Sequence, residues 1–134
     1  MITNDSENQF ISLLGARLQE KHPGLTIEVP ASGVNVPTPD LIVINPSTGT
    51  SLALEVKSGF QSTHLPISAI SQLRALRNSC QLQGKTDVVL VTTGEIPTLV
   101  KNGLAKSGIS SFSVQTAYDA VDTLEPKLRE LELG

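Results

Sequence analysis

The stretch TPDLIVINPSTGTSLALEVK, residues 38–57, decides the fold of this chain. It contains two short apolar runs, Leu41–Ile44 and Leu52–Val56. Between them lies Asn45–Gly49, a cluster of residues that favour turns. Two apolar runs joined by a short turn are typical of a β-hairpin, so we predict that these runs pair as neighbouring strands.

Charged residues mark one end of the predicted hairpin. Asp40 opens the first strand, and Glu55 and Lys57 close the second. Because side chains alternate along a strand, Glu55 and Lys57 share one face. Pairing across the hairpin can bring Asp40 beside Glu55. We therefore expect two carboxylates and an ammonium group to meet at one edge of the sheet.

Adjoining carboxylates repel each other unless a cation lies between them, and Mg²⁺ or Mn²⁺ suits oxygen ligands. Asp40, Glu55 and the backbone carbonyl of Val56 are the predicted ligands. Lys57 would orient a water molecule and stabilise charge developing on phosphorus, which points to phosphodiester hydrolysis. The alternative is a surface ion pair on a hairpin.

A third acid, Glu7, lies on the apolar stripe of the first predicted helix. It precedes Ile11, Leu14 and Leu18 at helical spacing, so it projects from the core-facing side. It either joins the acidic site or provides a favourable charge at the helix amino terminus.

The rest of the chain alternates between helical and strand patterns, which predicts a single α/β domain over residues 1–134. The first three strands form a meander, and helical crossovers lead to the last two. Residues 116–134 form an acidic C-terminal helical appendix that either contacts a second copy or caps the sheet. The predicted elements, in chain order, are helix Ser6–Lys21, strand Leu25–Val29, the hairpin, helix Pro66–Leu82, strand Asp87–Val91, helix Pro97–Gly108, strand Ile109–Val114 and the tail helix.

Composition excludes several classes of protein. The 134 residues carry a net charge of −3, which argues against a broad basic face that coats nucleic acid. The single cysteine, Cys80, allows no internal disulfide, and with two histidines it cannot complete a zinc cage. This cysteine usage predicts a cytoplasmic protein. No apolar run is long enough to span a bilayer, so we expect no membrane association.

The charged residues of the hairpin carry a resemblance. Pro39-Asp40 followed by Glu55-Val56-Lys57 resembles the signature of the PD-(D/E)XK nuclease superfamily, which has a restriction-endonuclease-like core of helix, three-strand meander, helix and strand. Here a helix-strand unit and a C-terminal helix follow that core. Archaeal-type Holliday-junction resolvases are the most similar branch, in Glu7, the loop Pro30–Gly33 and the ending Glu55–Ser58. Residues 89–94 and the following helix are similar to Mrr-type restriction endonucleases.

The resemblance implies roles for particular residues. Asp40 and Glu55 would bind the metal, Lys57 would handle the water, and Glu7 would complete the acidic cluster. Gln72 matches a glutamine on the second helix of several branches, although it can equally be an ordinary helix polar residue. Ser32, in the loop before the motif, is either a substrate contact or a turn former.

Arg74 and Arg77 form a modest basic ridge on the second predicted helix, either contacting phosphate or lying on a solvated face. The expected function is that of a Mg²⁺- or Mn²⁺-dependent DNA endonuclease, junction-selective or restriction-like. Because one small site cuts one strand, we expect a homodimer. The alternative is a catalytically silent nuclease-fold module that binds or scaffolds within a larger assembly, whose other subunits supply DNA affinity.

Overall fold

The chain is seen in a computed structural model that describes residues 2–30, 39–57, 73–78, 86–93, 96 and 98–133, with the backbone alone for residues 2–7 and 86. The elements are helices α1 (Ile2–Lys21), α2 (73–78), α3 (Thr98–Lys106) and α4 (Ala117–Leu133), and strands β1 (Thr26–Glu28), β2 (Leu41–Ile44), β3 (Ser51–Lys57), β4 (Thr86–Thr92) and β5 (Ser110–Ser113).

The five strands form one mixed sheet in the order β1-β2-β3-β4-β5. β2 is antiparallel to both β1 and β3, so the first three strands form the predicted meander. β4 runs parallel to β3, and β5 runs parallel to β4, as expected for strands reached by helical crossovers. The predicted α/β class, the three-strand meander and the order of helices and strands along the described part of the chain are confirmed.

Helices α1 and α4 cover one face of the sheet. Leu14 and Leu18 of α1 are fully buried against Leu54 and Val56 of β3, because α1 presents its apolar stripe to the sheet. The apolar side of α4 packs into the same core. Its buried residues are Ala117, Ala120, Val121, Leu124, Leu128 and Leu131.

Helices α2 and α3 lie on the opposite face, over a smaller core. Leu73 and Leu76 of α2 are buried there with Val100 and Leu104 of α3. The sheet contributes Ala53, Val88 and Leu90 to this core. Since the odd-numbered residues of β3 point to this side, it is also the side of Glu55 and Lys57.

Several boundaries differ from the sequence expectations. α1 begins at Ile2 rather than near Ser6, because capping residues favour a helix boundary without forcing one. β3 extends to Lys57, since it is central and paired on both sides, whereas β1 lies at an edge and is short. Of the predicted helix Pro66–Leu82, residues 66–72 and 79–82 lie outside the described residues. Among the described helices, none is long and apolar enough to cross a bilayer.

Candidate active site

The central feature of the candidate site is the anchoring of Asp40 to strand β3. Its backbone N–H donates to the carbonyl oxygen of Leu54 at 3.0 Å. Its side-chain Oδ2 accepts a hydrogen bond from the backbone N–H of Val56 at 2.7 Å. These two bonds lie on either side of Glu55 along β3. They hold the carboxylate of Asp40 beside Glu55, the second acid predicted for the site.

The register of the hairpin places the three charged side chains on one face. Leu41 pairs with Leu54, and the next position along the ladder puts Asp40 across from Glu55. Leu54 and Val56 are buried on the side of α1 and α4. Glu55 and Lys57 therefore leave β3 on the other side, where both are half-buried. The structure thus brings Asp40, Glu55 and Lys57 to one end of the sheet.

The backbone of Val56 also faces this site. In an antiparallel pair, the N–H and C=O groups of one residue point to the same neighbouring strand. Since the N–H of Val56 points to Asp40, its carbonyl oxygen points to that side as well. Pro39 precedes Asp40 and has no N–H, so it cannot continue the ladder there. The oxygen donors expected for a divalent cation thus face the same region.

Lys57 is fixed at the carboxyl end of β3. It pairs in register with Thr92, the last residue of β4, and its carbonyl oxygen accepts a hydrogen bond from the N–H of Thr93 at 3.2 Å. Ligands of α/β proteins bind at the carboxyl ends of parallel strands. The position of Lys57 is therefore one where a substrate can approach its ammonium group.

Three other predicted site residues are not tested by the structure. Glu7 lies in the first part of α1, but its side chain is outside the described part of the chain. Ser32 and Gln72 both lie outside the described residues. Among the side chains that are described, no group of three His, Cys, Asp or Glu residues is arranged to hold a metal ion.

Arg74 and Arg77 both contact the end of α3. Nε of Arg74 donates to Oγ of Ser107 at 2.5 Å, and the guanidinium of Arg77 donates to the carbonyl oxygen of Ser107. α3 starts near the carboxyl end of β4 and leads to the amino end of the parallel strand β5. Its nine residues span about 14 Å, so its last turn lies at the opposite end of the sheet from its first. Both arginines therefore lie toward the end of the sheet away from Lys57, and their contact with substrate stays a prediction.

Sequence reasoning missed the buried pairing of His22. This residue directly follows α1, and its Nε2 lies 3.1 Å from Glu125 Oε2, while its Nδ1 contacts Glu132. Burial raises the pKa of Glu125, but the hydrogen bonds from His22 and Arg129 lower it, and the net result is a lowered pKa. Each ring nitrogen faces a different carboxylate, so the cluster ties α1 to α4. No local pattern signals partners about a hundred positions away.

Comparison with known proteins rests on structure, since the sequence matches no protein-family model and no curated protein. A repair endonuclease from Pyrococcus abyssi is similar with a TM-score of 0.54 and 16% identity, over 78% of this chain and 47% of that one. EndoMS, in a complex with double-stranded DNA, gives a TM-score of 0.59 and 17% identity, over 84% and 44%.

A protein of unknown function gives a TM-score of 0.60 and 17% identity, over 89% of this chain and 65% of that one. The chain spans about half the length of the first two structures that it matches. These likenesses show a shared overall fold. The chain therefore has the restriction-endonuclease-like nuclease fold that its hairpin motif predicted.

Proposed function

We propose that this chain is a divalent-metal-dependent endonuclease that hydrolyses DNA phosphodiester bonds. The observation that carries the proposal is the grouping of Asp40, Glu55 and Lys57 on one face at one end of the sheet, with Asp40 held by the N–H of Val56. Two proteins of similar fold are described as a repair endonuclease and as EndoMS bound to double-stranded DNA, which supports DNA as the substrate.

The donors present suit Mg²⁺ or Mn²⁺. Asp40 and Glu55 would supply carboxylate oxygens and Val56 its carbonyl oxygen, and Mg²⁺ commonly takes one or two carboxylates and keeps several waters. The bond from Val56 engages Oδ2 of Asp40, which leaves Oδ1 for the cation. When bound, the cation would polarise a phosphoryl oxygen and favour ionisation of water. Glu7 would add a third acid at the edge of this set.

Lys57 performs the remaining chemistry in this proposal. Its ammonium group donates a hydrogen bond that orients the attacking water and stabilises negative charge on the phosphoryl oxygens. The water oxygen bonds to phosphorus as one P–O ester bond breaks. The water proton is released and the leaving oxygen takes up a proton, so the products are a phosphate monoester and a hydroxyl group.

We further infer that the active species is a homodimer in the cytoplasm, acting on branched DNA or on restriction-like sites. One site of this size cuts one strand, so two copies supply two cuts. With a net charge of −3, the chain offers few cations for phosphate contact. Ser32, Gln72, Arg74 and Arg77 are the proposed substrate contacts, and a protein partner would add DNA affinity.

The test is cleavage of labelled linear, nicked, flapped and four-way-junction DNA in Mg²⁺ and in Mn²⁺. Glu55→Ala and Lys57→Ala should abolish cleavage. The matched controls Glu28→Ala and Lys101→Ala, which alter exposed residues of β1 and α3, should cleave like the parent. Absence of cleavage by the parent on every substrate, or equal loss in the controls, would overturn the proposal.

The second candidate is a catalytically silent nuclease-fold module that binds DNA within an assembly. It is favoured by the acidic net charge, because a chain with few unpaired cations holds the phosphates of DNA weakly by itself. Calorimetric titration with Mn²⁺ separates the two candidates. An active site should bind Mn²⁺ and lose it in Asp40→Ala, whereas a silent module should show no difference between parent and variant.

A further inference from the structure

Pro126 lies inside α4 and divides this helix into two halves, residues 117–125 and 127–133. Proline has no N–H, so it cannot bond to the carbonyl oxygen of Asp122 four residues earlier, and its ring crowds that turn. One helical hydrogen bond is therefore missing between the two halves. The second half depends all the more on its contacts with the rest of the protein.

His22 contacts one carboxylate on each side of Pro126. Its Nε2 lies 3.1 Å from Oε2 of Glu125, and its Nδ1 contacts Glu132. The two glutamates are seven residues apart, about two helical turns, so they lie on the same face of α4. His22 is only 6% exposed, which keeps water from replacing these contacts. We call the three residues the histidine bridge, because one imidazole ring joins both halves of α4 to the end of α1.

The histidine bridge requires two hydrogen-bond donors on the ring. An ionised carboxylate only accepts hydrogen bonds. Neutral imidazole has one N–H and one lone pair, whereas the imidazolium form has two N–H groups. Only the imidazolium form of His22 can therefore donate to Glu125 and Glu132 at the same time.

The charged groups around the histidine bridge come from α1 and α4. Arg129 donates to Oε1 of Glu125 at 3.3 Å, and Lys21, the residue before His22, pairs with Asp122 at 3.2 Å. Burial raises the pKa of Glu125, but the hydrogen bonds from His22 and Arg129 lower it, and the net result is a lowered pKa. Glu125 therefore remains an acceptor throughout the pH range in which histidines titrate.

The second half of α4 has one other polar tie to the fold among the described residues. Asn45 of the hairpin turn donates to the carbonyl oxygen of Leu131 at 2.9 Å, and this amide carries no charge. Leu128 and Leu131 of the same half are buried in the main core. These contacts do not change with pH, so the histidine bridge is the part that can respond to it.

We propose that the histidine bridge is a pH-sensitive switch that holds the second half of α4 against the fold while His22 is an imidazolium. Histidine side chains change charge between about pH 5 and pH 8. As the pH rises through this range, His22 loses one donor and one glutamate then faces a nitrogen lone pair. The stabilising contribution is thus present at the acidic end of the range and is lost toward the alkaline end, where residues 127–133 detach more often.

The test is amide hydrogen exchange of the full chain at about pH 5.5 and about pH 8, corrected for the intrinsic effect of pH on exchange. The protection of Leu128 and Leu131 should be about tenfold lower at the higher pH, the effect of one lost hydrogen bond. The protection of Val121 and Leu124, which precede Pro126, should change by less than about twofold.

Two substitutions test whether the histidine bridge causes this change. Glu132→Gln places an amide beside Nδ1, and its N–H can donate to the lone pair of neutral imidazole, so protection should be equal at both pH values. His22→Gln has no group that titrates in this range, so its protection should also be equal at both, even where it is lower than in the parent. The control Glu130→Gln alters an exposed residue of the same helix and should show the parental fall.

A second readout follows the charge of the ring directly. In ¹⁵N-labelled protein, the ring signals of His22 are distinguished from those of His64, the other histidine, by their loss in His22→Gln. The pH at which His22 loses its proton should coincide with the pH at which the protection of Leu128 and Leu131 falls. Two clearly different pH values would show that another group controls the detachment, and would overturn the proposal.

The exchange data can also overturn it. Protection of Leu128 and Leu131 that does not change with pH in the parent would do so, as would a fall of parental size in Glu132→Gln or His22→Gln. None of these measurements depends on DNA cleavage, so the result leaves the nuclease proposal to its own test.

Discussion

The carboxylate of Asp40 accepts a hydrogen bond from the backbone N–H of Val56 at 2.7 Å, across the open end of the hairpin. This bond links stability to the proposed chemistry, because the side chain that closes the end of the ladder is also the one that would supply an oxygen to the proposed metal site. Two different substitutions of Asp40 can separate its effect on the stability of the fold from its proposed effect on metal binding and cleavage.

Asp40→Asn keeps an oxygen acceptor for Val56 and removes the negative charge. We expect its free energy of unfolding to stay within about 0.5 kcal/mol of the parent, while Mn²⁺ binding and DNA cleavage are lost. Asp40→Ala should also lose Mn²⁺ binding and cleavage. In addition it leaves the N–H of the fully buried Val56 unpaired, which should lower the free energy of unfolding by about 1–3 kcal/mol. Urea unfolding and calorimetric titration measure the two effects. Equal stability of the two variants would contradict the structural role.

The lowered pKa of Glu125 predicts a loss of stability in acid. A carboxyl group whose pKa is lowered in the folded state stabilises that state at pH values above its ordinary pKa of about 4.5. This contribution disappears as the pH falls through the lower pKa of the folded state. The thermal unfolding temperature, measured from about pH 7 to about pH 3, should fall at the acid end. We call this fall the acid limb, and it should be shallower in Glu125→Gln. Glu130→Gln, at an exposed position of the same helix, should retain the parental limb.

Asn45 connects the hairpin turn to the end of α4. Its Nδ2 donates to the carbonyl oxygen of Leu131 at 2.9 Å, and its Oδ1 accepts from the N–H of Ser47 at 3.0 Å. Asn45 is buried, so Asn45→Ala should lower the free energy of unfolding by about 1–3 kcal/mol. The exposed turn residue Thr48 provides the control. If Thr48→Ala destabilises the fold as much, the tie to α4 is not the cause.

Gly108 ends α3 in a left-handed conformation with φ of 74°. The N–H of Gly108 donates to the carbonyl of Ala105 at 3.0 Å, and the N–H of Ile109 donates to that of Leu104 at 2.9 Å, the pattern of a Schellman motif. Gly108→Ala should cost about 1–2 kcal/mol, because a Cβ is disfavoured in this conformation. Gly24→Ala, where a Cβ would meet nothing within 4 Å, should be nearly neutral in the same unfolding assay.

The sequence by itself determined the elements that depend on neighbouring residues. The apolar runs and the turn formers of residues 38–57 specify a hairpin, and the alternation of side chains puts Glu55 and Lys57 on one face whatever surrounds them. Gly108 could be read as a helix end because a left-handed residue strongly favours glycine. The crossover connections to the last two strands could be predicted because helical patterns separate those strands in the sequence.

Only the tertiary structure decided the contacts between distant segments. His22 and Glu125 are remote in sequence, and α4 covers the main core although its composition also suited a helix that contacts a second copy. The place of Thr92 beside Lys57 likewise follows from strand register, which no local pattern fixes. Local patterns fix periodicity and faces, whereas register and packing depend on the free energy of the whole core.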